Sequence, residues 1–177
     1  MVSGPRAGMS AESTFVTEIS AATDAESCWK ALERLADDAV GHKLFTVMTV
    51  DIGAGLVRRA YSNMPAEYPT SGTKPLHGNA GSWFDTVFVA RKTFVANTIE
   101  EIAQVFPDHA LIASLGCGSV VNLPIVLEGE LVSAVNLLDE AGHYTPERVA
   151  IAEERLAVPA RLCSALARRF SPLKVAA

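Results

Sequence analysis

Apolar residues recur along this chain at helical spacing in some stretches and at strand spacing in others. The first helical stretch follows residue 23, where apolar side chains recur every three or four positions, at Trp29, Leu32, Leu35 and Ala39. This spacing places the four side chains near one face of a helix. Capping boxes predict helix starts at Thr23-Asp24-Ala25-Glu26 and at Thr98-Ile99-Glu100-Glu101.

Two pairs of apolar segments have the composition of strands. HKLFTVMTVD (42–51) and GLVRRAYSN (55–63) are joined by a glycine-rich turn, and GSVVNLPIVL (118–127) and ELVSAVNLLD (130–139) are joined by Glu128-Gly129. Both pairs predict antiparallel hairpins. Pro124 lies inside the third segment and cannot donate to a ladder, so we expect a sheet edge or a bulge there.

The segments between the two hairpins are shorter and mixed. A loop over residues 64–78 is long enough to suggest a functional role. It is followed by a predicted helix over 82–92, a short strand over 93–97, and two short helices that end near Phe106 and Gly116. Thr145-Pro146 then predicts a last helix that runs toward Phe170. The element order predicts an α/β (α+β) fold with an antiparallel meander.

Composition and charge restrict the classes of function. The 177 residues carry a net charge of −5, and no concentrated run of Lys or Arg is present, so we expect no nucleic-acid partner. No apolar run is long enough to span a bilayer, and the N-terminus has no apolar leader, so we expect no membrane association. Three widely spaced cysteines favour a reducing, cytoplasmic location.

The last predicted helix carries a stripe with the alternating three- and four-residue steps of a coiled-coil seam, at Val149, Ala152, Leu156, Pro159, Cys163, Leu166 and Phe170. We interpret this stripe as a homodimer interface, so Asp at Leu156 and Leu166 is expected to give a folded monomer. The alternative is that the stripe packs on the sheet of its own chain. Pro159 is expected to kink or interrupt the helix.

The segment SVVNLPIVLEGELVSAVNLLDEAGHYTPERVAIAEERLAVPA (119–160) resembles the closing pattern of GAF domains. The resemblance implies a PAS/GAF-like antiparallel sheet flanked by helices, with the terminal helices on one side and a small-ligand pocket on the other. It implies one domain over residues 22–171, after an N-terminal arm (1–21) and before a C-terminal tail (172–177). We expect residues 1 to about 14 to be a loose arm.

Several residues are candidates for ligand binding in such a pocket. Asn122 and Asn136 lie in apolar strands, where each polar side chain needs a partner, either a ligand or a neighbouring backbone group. His109 and Ser114 lie near the corner that is expected to roof the pocket, and aromatic residues line either a cavity or the core. The complete set of candidates is Tyr61, Trp83, His109, Ser114, Cys117, Asn122 and Asn136.

One branch with this fold is an enzyme, free methionine-(R)-sulfoxide reductase, which needs a nucleophilic and a resolving thiol. The positions that match its functional residues are Ala80, Ile112 and Val121, so all three depart from its pattern. Cys117 stands between two glycines, at a helix end that disfavours a thiolate, and we expect an ordinary or raised thiol pKa. A haem ligand would have to be His77 or His109, and the cofactor is left open.

Three functions follow from these observations. The first is a stand-alone sensory module that binds a small molecule as a homodimer and signals to a separate partner protein, since the chain has no room for an output domain. The second is a small enzyme that uses Cys117 and His109. The third is a scaffold whose pocket is filled.

Overall fold

The computed structural model describes residues 8–51, 53–70, 72–75 and 82–170. The expectations about His77, Ala80, residues 1–7 and the tail 172–177 lie outside this range. The helices are α1 (Ala11–Ala21), α2 (Ala25–Val40), α3 (Ser82–Phe84, continued by a π-helical turn over Asp85–Val89), α4 (Ile99–Ala103), α5 (His109–Ser114) and α6 (Pro146–Phe170). The strands are β1 (Leu44–Asp51), β2 (Leu56–Ser62), β3 (Thr73–Pro75), β4 (Phe94–Ala96), β5 (Ser119–Leu127) and β6 (Glu130–Asp139).

The six strands form one antiparallel sheet in the order β3-β2-β1-β6-β5-β4. β1 pairs with β6 from Leu44↔Leu138 to Thr49↔Ser133, so the β5–β6 hairpin lies beside the first strand. The two central strands are therefore distant in sequence, and the sheet joins the two halves of the chain. This confirms the antiparallel α+β architecture predicted from the sequence.

The β5–β6 hairpin has the turn and the irregularity that its sequence predicts. Glu128 and Gly129 both have positive φ values, of 53° and 79°, as a tight two-residue hairpin turn requires. β4 pairs with β5 only as far as Asn122, so Pro124 faces a side of β5 that β4 does not reach. The register also shifts between Ile125 and Val126. Proline at position 124 therefore costs no ladder bond to β4.

The terminal helices cover one face of the sheet. α2 buries Trp29 and Leu32 against Leu156 and Cys163 of α6, and these side chains pack on sheet residues such as Val135. α1 packs on α2, and Arg155 of α6 bonds to both Glu12 and Asp38. The expectation that the first and last long helices lie on the same side of the sheet is confirmed.

The stripe on α6 faces the core of its own chain, which overturns its interpretation as a dimer seam. Ala152, Leu156 and Cys163 are fully buried, and Val149 and Leu166 pack against the same cluster. Asp at Leu156 would therefore disrupt the monomer itself. α6 also continues through Pro159 without a break in its helical assignment, so the predicted interruption is wrong.

Two predictions near the N-terminus are corrected. Helix α2 is capped by Asp24, which exchanges bonds with Ser27, instead of by Thr23. The carboxylate of Asp24 accepts from the Ser27 N–H over 2.8 Å, a better cap than a hydroxyl one position earlier. The expected loose arm is helical from Ala11 onward, because Phe15 gives α1 an apolar anchor that is only 5% exposed.

The other face of the sheet is covered by short elements, which we call the roof: α3 with its π turn, α4 and α5. Ile102, Phe106 and Ile112 of this region pack on Leu44 and Leu138 of the sheet. The helix predicted over 82–92 is shorter than expected and ends at Val89, where Arg91 takes a positive φ of 54°. Among the described helices, none is both long and apolar enough to cross a membrane.

Candidate functional site

A row of buried polar side chains crosses three strands beneath the roof. Asn122 pairs with Asn136 across β5 and β6, and Thr46 pairs with Asn136 across β1 and β6. Asn122 Nδ2 donates to Asn136 Oδ1 over 2.6 Å, and Asn136 Nδ2 donates to Thr46 Oγ1 over 3.0 Å. Trp83 Nε1 donates to Asn122 Oδ1 over 2.9 Å and so joins the roof to the row.

A partly satisfied charged group lies beside this row. The Arg59 guanidinium lies 3.7 Å above the centre of the Tyr68 ring, and the Tyr68 hydroxyl donates to Asp108 Oδ2 over 2.5 Å. Arg59 Nε and Asp108 Oδ1 are both buried and have no hydrogen-bond partner within the described part of the chain. Buried charged groups that are only partly satisfied are costly, so a further hydrogen-bonding partner at either atom would be stabilising.

The third charged side chain, Lys74, lies against two aromatic rings that contact each other. Its Nζ is 5.0 Å from the centre of the Trp83 ring and 4.9 Å from that of Phe106. Burial lowers the pKa of Lys74, and Asp108 opposes this shift. No side chain or backbone oxygen among residues 8–51, 53–70, 72–75 and 82–170 accepts a hydrogen bond from this amine. The rings hold the cation, but leave its N–H donors available.

These groups surround a cavity of about 30 Å³ between the sheet and the roof. Its lining includes Arg59, Lys74, Trp83, Asn122 and Asn136. A volume of this size holds one or two water molecules. The sheet and the roof therefore leave only a small polar space between them.

The predicted ligand residues divide between different places. Trp83, Asn122 and Asn136 come together at the roofed cavity. His109 Nδ1 lies 3.1 Å from the Phe106 carbonyl oxygen, and the exposed Ser114 hydroxyl donates to Leu111 O; neither lines the cavity. Tyr61 lies on the opposite face, where it donates to Glu33 Oε2 over 2.5 Å. Burial raises the pKa of Tyr61, and the bond to Glu33 adds to the shift.

Sequence reasoning missed Arg59, Lys74 and Asp108. Arg58 and Arg59 are adjacent in a strand, so one of the two must point toward the covered face. This alternation could have indicated that one of the two arginines lies under the roof. In the structure that residue is Arg59. Lys74 follows two prolines and a glycine (Pro65, Pro69 and Gly72) in a segment with no hydrophobic periodicity. The sequence there does not indicate which side chains point inward.

Cys117 is a buried packing residue. Gly116 has a φ of 76°, and a Cβ on Gly118 would lie 3.0 Å from Ala141, so the turn requires glycine on both sides. Burial raises the pKa of Cys117 to about 11, Asp139 adds to the shift, and Lys43 opposes it. The direction agrees with the sequence expectation of an ordinary or raised thiol pKa, and the acidic neighbour that contributes is Asp139.

Within the described part of the chain, no imidazole, carboxylate or second thiol forms a hydrogen bond with Cys117. Its Sγ contacts the Leu115 carbonyl oxygen at 4.0 Å, while Cys28 and Cys163 belong to the core cluster on the other face of the sheet. Within the described ranges, no group of three His, Cys, Asp or Glu side chains is placed to hold a metal ion.

A larger cleft lies on the opposite face of the sheet, beside α2 and α6. Its volume is about 710 Å³, and its walls include Trp29, Tyr61, Ser133, Ser164 and Arg168. It is much larger than the roofed cavity, but it holds none of the unpartnered polar groups described above. We assign the roofed cavity as the candidate site because unsatisfied buried polar groups indicate a ligand more directly than volume does.

Comparisons with known proteins rest on structure. No family model and no curated sequence matches the chain. A GAF domain of an Acinetobacter phosphoenolpyruvate-protein phosphotransferase is 10% identical, with a TM-score of 0.67 over 90% of this chain and 93% of that one. Residues 122 to 287 of a methyl-accepting chemotaxis protein are 18% identical, with a TM-score of 0.64 over 92% and 99%.

A third similar structure is the GAF domain of a two-component sensor histidine kinase from Bacillus halodurans. It is 12% identical, with a TM-score of 0.60 over 81% of this chain and 91% of that domain. These identities are too low to carry a function. Together with the antiparallel sheet and its two unlike faces, they show that the chain has the fold of GAF domains.

Proposed function

We propose that this chain is a sensory module that binds a small molecule under the roof, works as a homodimer and signals to a separate partner protein. Two solved structures with this fold come from a chemotaxis protein and a sensor histidine kinase, which supports a role in sensing. The observation that carries the proposal is the buried polar row, with the half-buried Lys74 beside it and with two atoms, Arg59 Nε and Asp108 Oδ1, that have no partner among the described residues.

The chemistry of the roofed site favours a small anion. Two cationic side chains, Arg59 and Lys74, line the cavity, and one carboxylate, Asp108, whose Oδ2 already accepts from Tyr68, is near enough to act electrostatically on Lys74. Arg59 Nε and the Lys74 amine both have donors to give, and a carboxylate or phosphate oxygen would accept from both. Binding such an anion would restore the hydrogen bonds that burial denies to these groups.

A ligand larger than water has to displace the roof. The Nε1 atom of Trp83 is hydrogen-bonded to Asn122 of the sheet, and Val87 packs on Met48, Val57 and Ala134, while Lys74 contacts the rings of Trp83 and Phe106. The π-helical turn after Trp83 is a type of distortion that often occurs at functional sites. Movement of α3 on binding is the change that a partner protein would detect.

The homodimer proposal now rests on the outer face of α6. Ile151, Val158 and Leu162 are exposed at steps of seven and four residues, and Val158 is 70% exposed. This is a second apolar stripe, separate from the buried one. A stripe on one helix is self-complementary about a two-fold axis, so a second copy of the chain is the partner that fits it.

The small volume of the roofed cavity favours a second candidate function. A space of about 30 Å³ is close to a filled core, as expected for a scaffold that acts only through protein contacts. In that case the polar row would serve to align the strands, and no small molecule would bind.

Native mass spectrometry of the purified protein separates the two functions. For the sensor we expect a dimer that retains a small anion or takes one up from a set of small carboxylates and phosphates. Lys74→Met should abolish uptake, and Lys92→Met, which removes an exposed lysine near the roof, should not. If the protein shows only the mass of its polypeptide, and none of the carboxylates or phosphates adds to it, the sensor is rejected and the scaffold is supported.

A further inference from the structure

The large cleft on the opposite face of the sheet has the dimensions of a ligand site. Its volume of about 710 Å³ lies within the range of small-molecule pockets, about 300–1,000 Å³. It lies between the first turns of α2, the last turns of α6, and the ends of β1, β2 and β6 that these helices do not cover. The sheet separates it from the roofed cavity.

The walls of the cleft are suited to an apolar guest. Trp29 is 1% exposed and Ala167 is 8% exposed, and both line the cleft together with Val50, Ala60 and Leu131. The deepest polar groups, Ser133 and Ser164, satisfy each other: their hydroxyls are 2.7 Å apart, and Ser164 donates onward to Ala160 O. Because these hydroxyls already have partners, the floor requires no polar group from a ligand.

Among the described residues on the rim of the cleft, one cation is available for a ligand. Asp51 accepts from the Ala54 N–H over 2.9 Å and lies 3.7 Å from Arg58, and Glu26 pairs with Lys30 at 2.7 Å. Glu130 is exposed at the hairpin end of the rim. Arg168 forms no ion pair or hydrogen bond with any residue in the described ranges, and it lies beside the apolar wall formed by Ala167.

We propose that this cleft binds an amphipathic monocarboxylate, with its hydrocarbon body against Trp29, Leu131 and Ala167 and its carboxylate at Arg168. Burial of an alkyl chain supplies the affinity, and the guanidinium selects the charge of the head group. The site is independent of the anion site under the roof, since no lining residue is shared between them.

Titration calorimetry with dodecanoate, below its micelle concentration, tests the proposal. We expect saturable binding with one site per chain, and a loss of about tenfold in affinity when the probe is shortened to decanoate. Ala60→Trp places a large side chain in the cleft from an exposed strand position and should weaken binding by at least about tenfold. Arg168→Glu should weaken dodecanoate and strengthen dodecylamine.

Matched controls exclude indirect effects. Arg169→Glu makes the same charge change one residue further along α6. Ala113→Trp adds the same ring on α5, which covers the opposite face of the sheet. Both variants should bind dodecanoate as the wild type does. The absence of saturable binding, equal binding by Ala60→Trp, or a wild-type preference for dodecylamine would each overturn the proposal. Loss of binding in Lys74→Met with retention in Ala60→Trp would place the probe under the roof and also overturn it.

Discussion

Asn122 Nδ2 donates to Asn136 Oδ1 over 2.6 Å between β5 and β6, with both side chains buried. The pair is the middle of a row in which each amide also bonds outward, to Trp83 on one side and Thr46 on the other. Its members are coupled because each amide satisfies the next. Removing one of them leaves another without a partner.

Asn136→Leu is expected to destabilise the fold by about 1–3 kcal/mol, because Asn122 Nδ2 loses its acceptor in a buried site. The double variant Asn122→Leu/Asn136→Leu removes both amides and should cost less than the sum of the two single variants. Urea denaturation of the four proteins gives the coupling free energy, expected to exceed about 0.5 kcal/mol. Additive changes would contradict the coupled row.

The sequence singled out both asparagines as polar residues in need of a partner, but it predicted neither their bond to each other nor the charges beside them. Polar residues in apolar strands stand out because strands alternate, and the register that joins Asn122 to Asn136 follows from the two-residue turn at Glu128-Gly129. Lys74 lies in a strand of only three residues inside a proline-rich segment, and Asp108 lies in a turn before α5, so no periodicity in the local sequence indicates the direction of either side chain. Their approach depends on how the roof packs, which is a property of the whole fold.

The stripe on α6 shows a related limit. Its spacing correctly predicted an apolar face, but the same seven-residue pattern fits packing on another chain or on the chain's own α2 and sheet. The helix of 25 residues carries both kinds of apolar residue, buried at Leu156 and exposed at Val158. Only the positions of α2 and the sheet distinguish them.

Leu156→Asp and Val158→Asp therefore have opposite expected effects. Leu156 is 0% exposed, so a carboxylate there should unfold the chain or destabilise it by more than about 4 kcal/mol. Val158 is 70% exposed, so the same change should alter folding by less than about 0.5 kcal/mol but weaken the homodimer.

Circular dichroism melting and light scattering after size-exclusion chromatography measure the two effects separately. Glu154→Asp is the control, because it changes an exposed residue of the same helix without changing its charge. It should alter neither folding nor assembly. A monomeric wild type, or a Val158→Asp variant that is as dimeric as the wild type, would reject α6 as the dimer interface.

Cys117 is expected to resist alkylation at neutral pH. Its pKa is raised to about 11 by burial and Asp139, so at pH 8 roughly one thiol in a thousand is ionised. Ser114→Cys places an exposed thiol in the same segment, where an ordinary pKa of about 8.5 is expected. Iodoacetamide labelling from pH 6 to 11, with peptide mapping, should give a midpoint for Cys117 well above that of the control.

The pH dependence has a definite sign. Because the folded-state pKa of Cys117 is above its unfolded value, this thiol contributes stability below about pH 8.5 that is lost as the pH rises toward 11. A labelling midpoint for Cys117 at or below that of Ser114→Cys would instead indicate an activated thiol, and would revive the hypothesis of an enzyme that uses Cys117.

Pro159 lies in the interior of α6, which remains helical on both sides of it. Proline has no N–H for the bond to the preceding turn, and it costs about 3 kcal/mol relative to alanine in a helix interior. Its neighbour Ala160 is fully buried, so the helix must keep its position on the core despite the missing bond. Pro159→Ala is therefore expected to raise the free energy of unfolding by about 1–3 kcal/mol.

Pro146→Ala is the matched control, since Pro146 is the first residue of the same helix, where the missing N–H would have no partner in any case. Its effect should stay within about 0.5 kcal/mol. Urea denaturation of both variants and the wild type measures the difference. A lower stability for Pro159→Ala would contradict this prediction and would mean that the core needs a bend in α6 at this residue. The straight helix that alanine permits would then move Leu156 or Cys163 away from the contacts they make with α2.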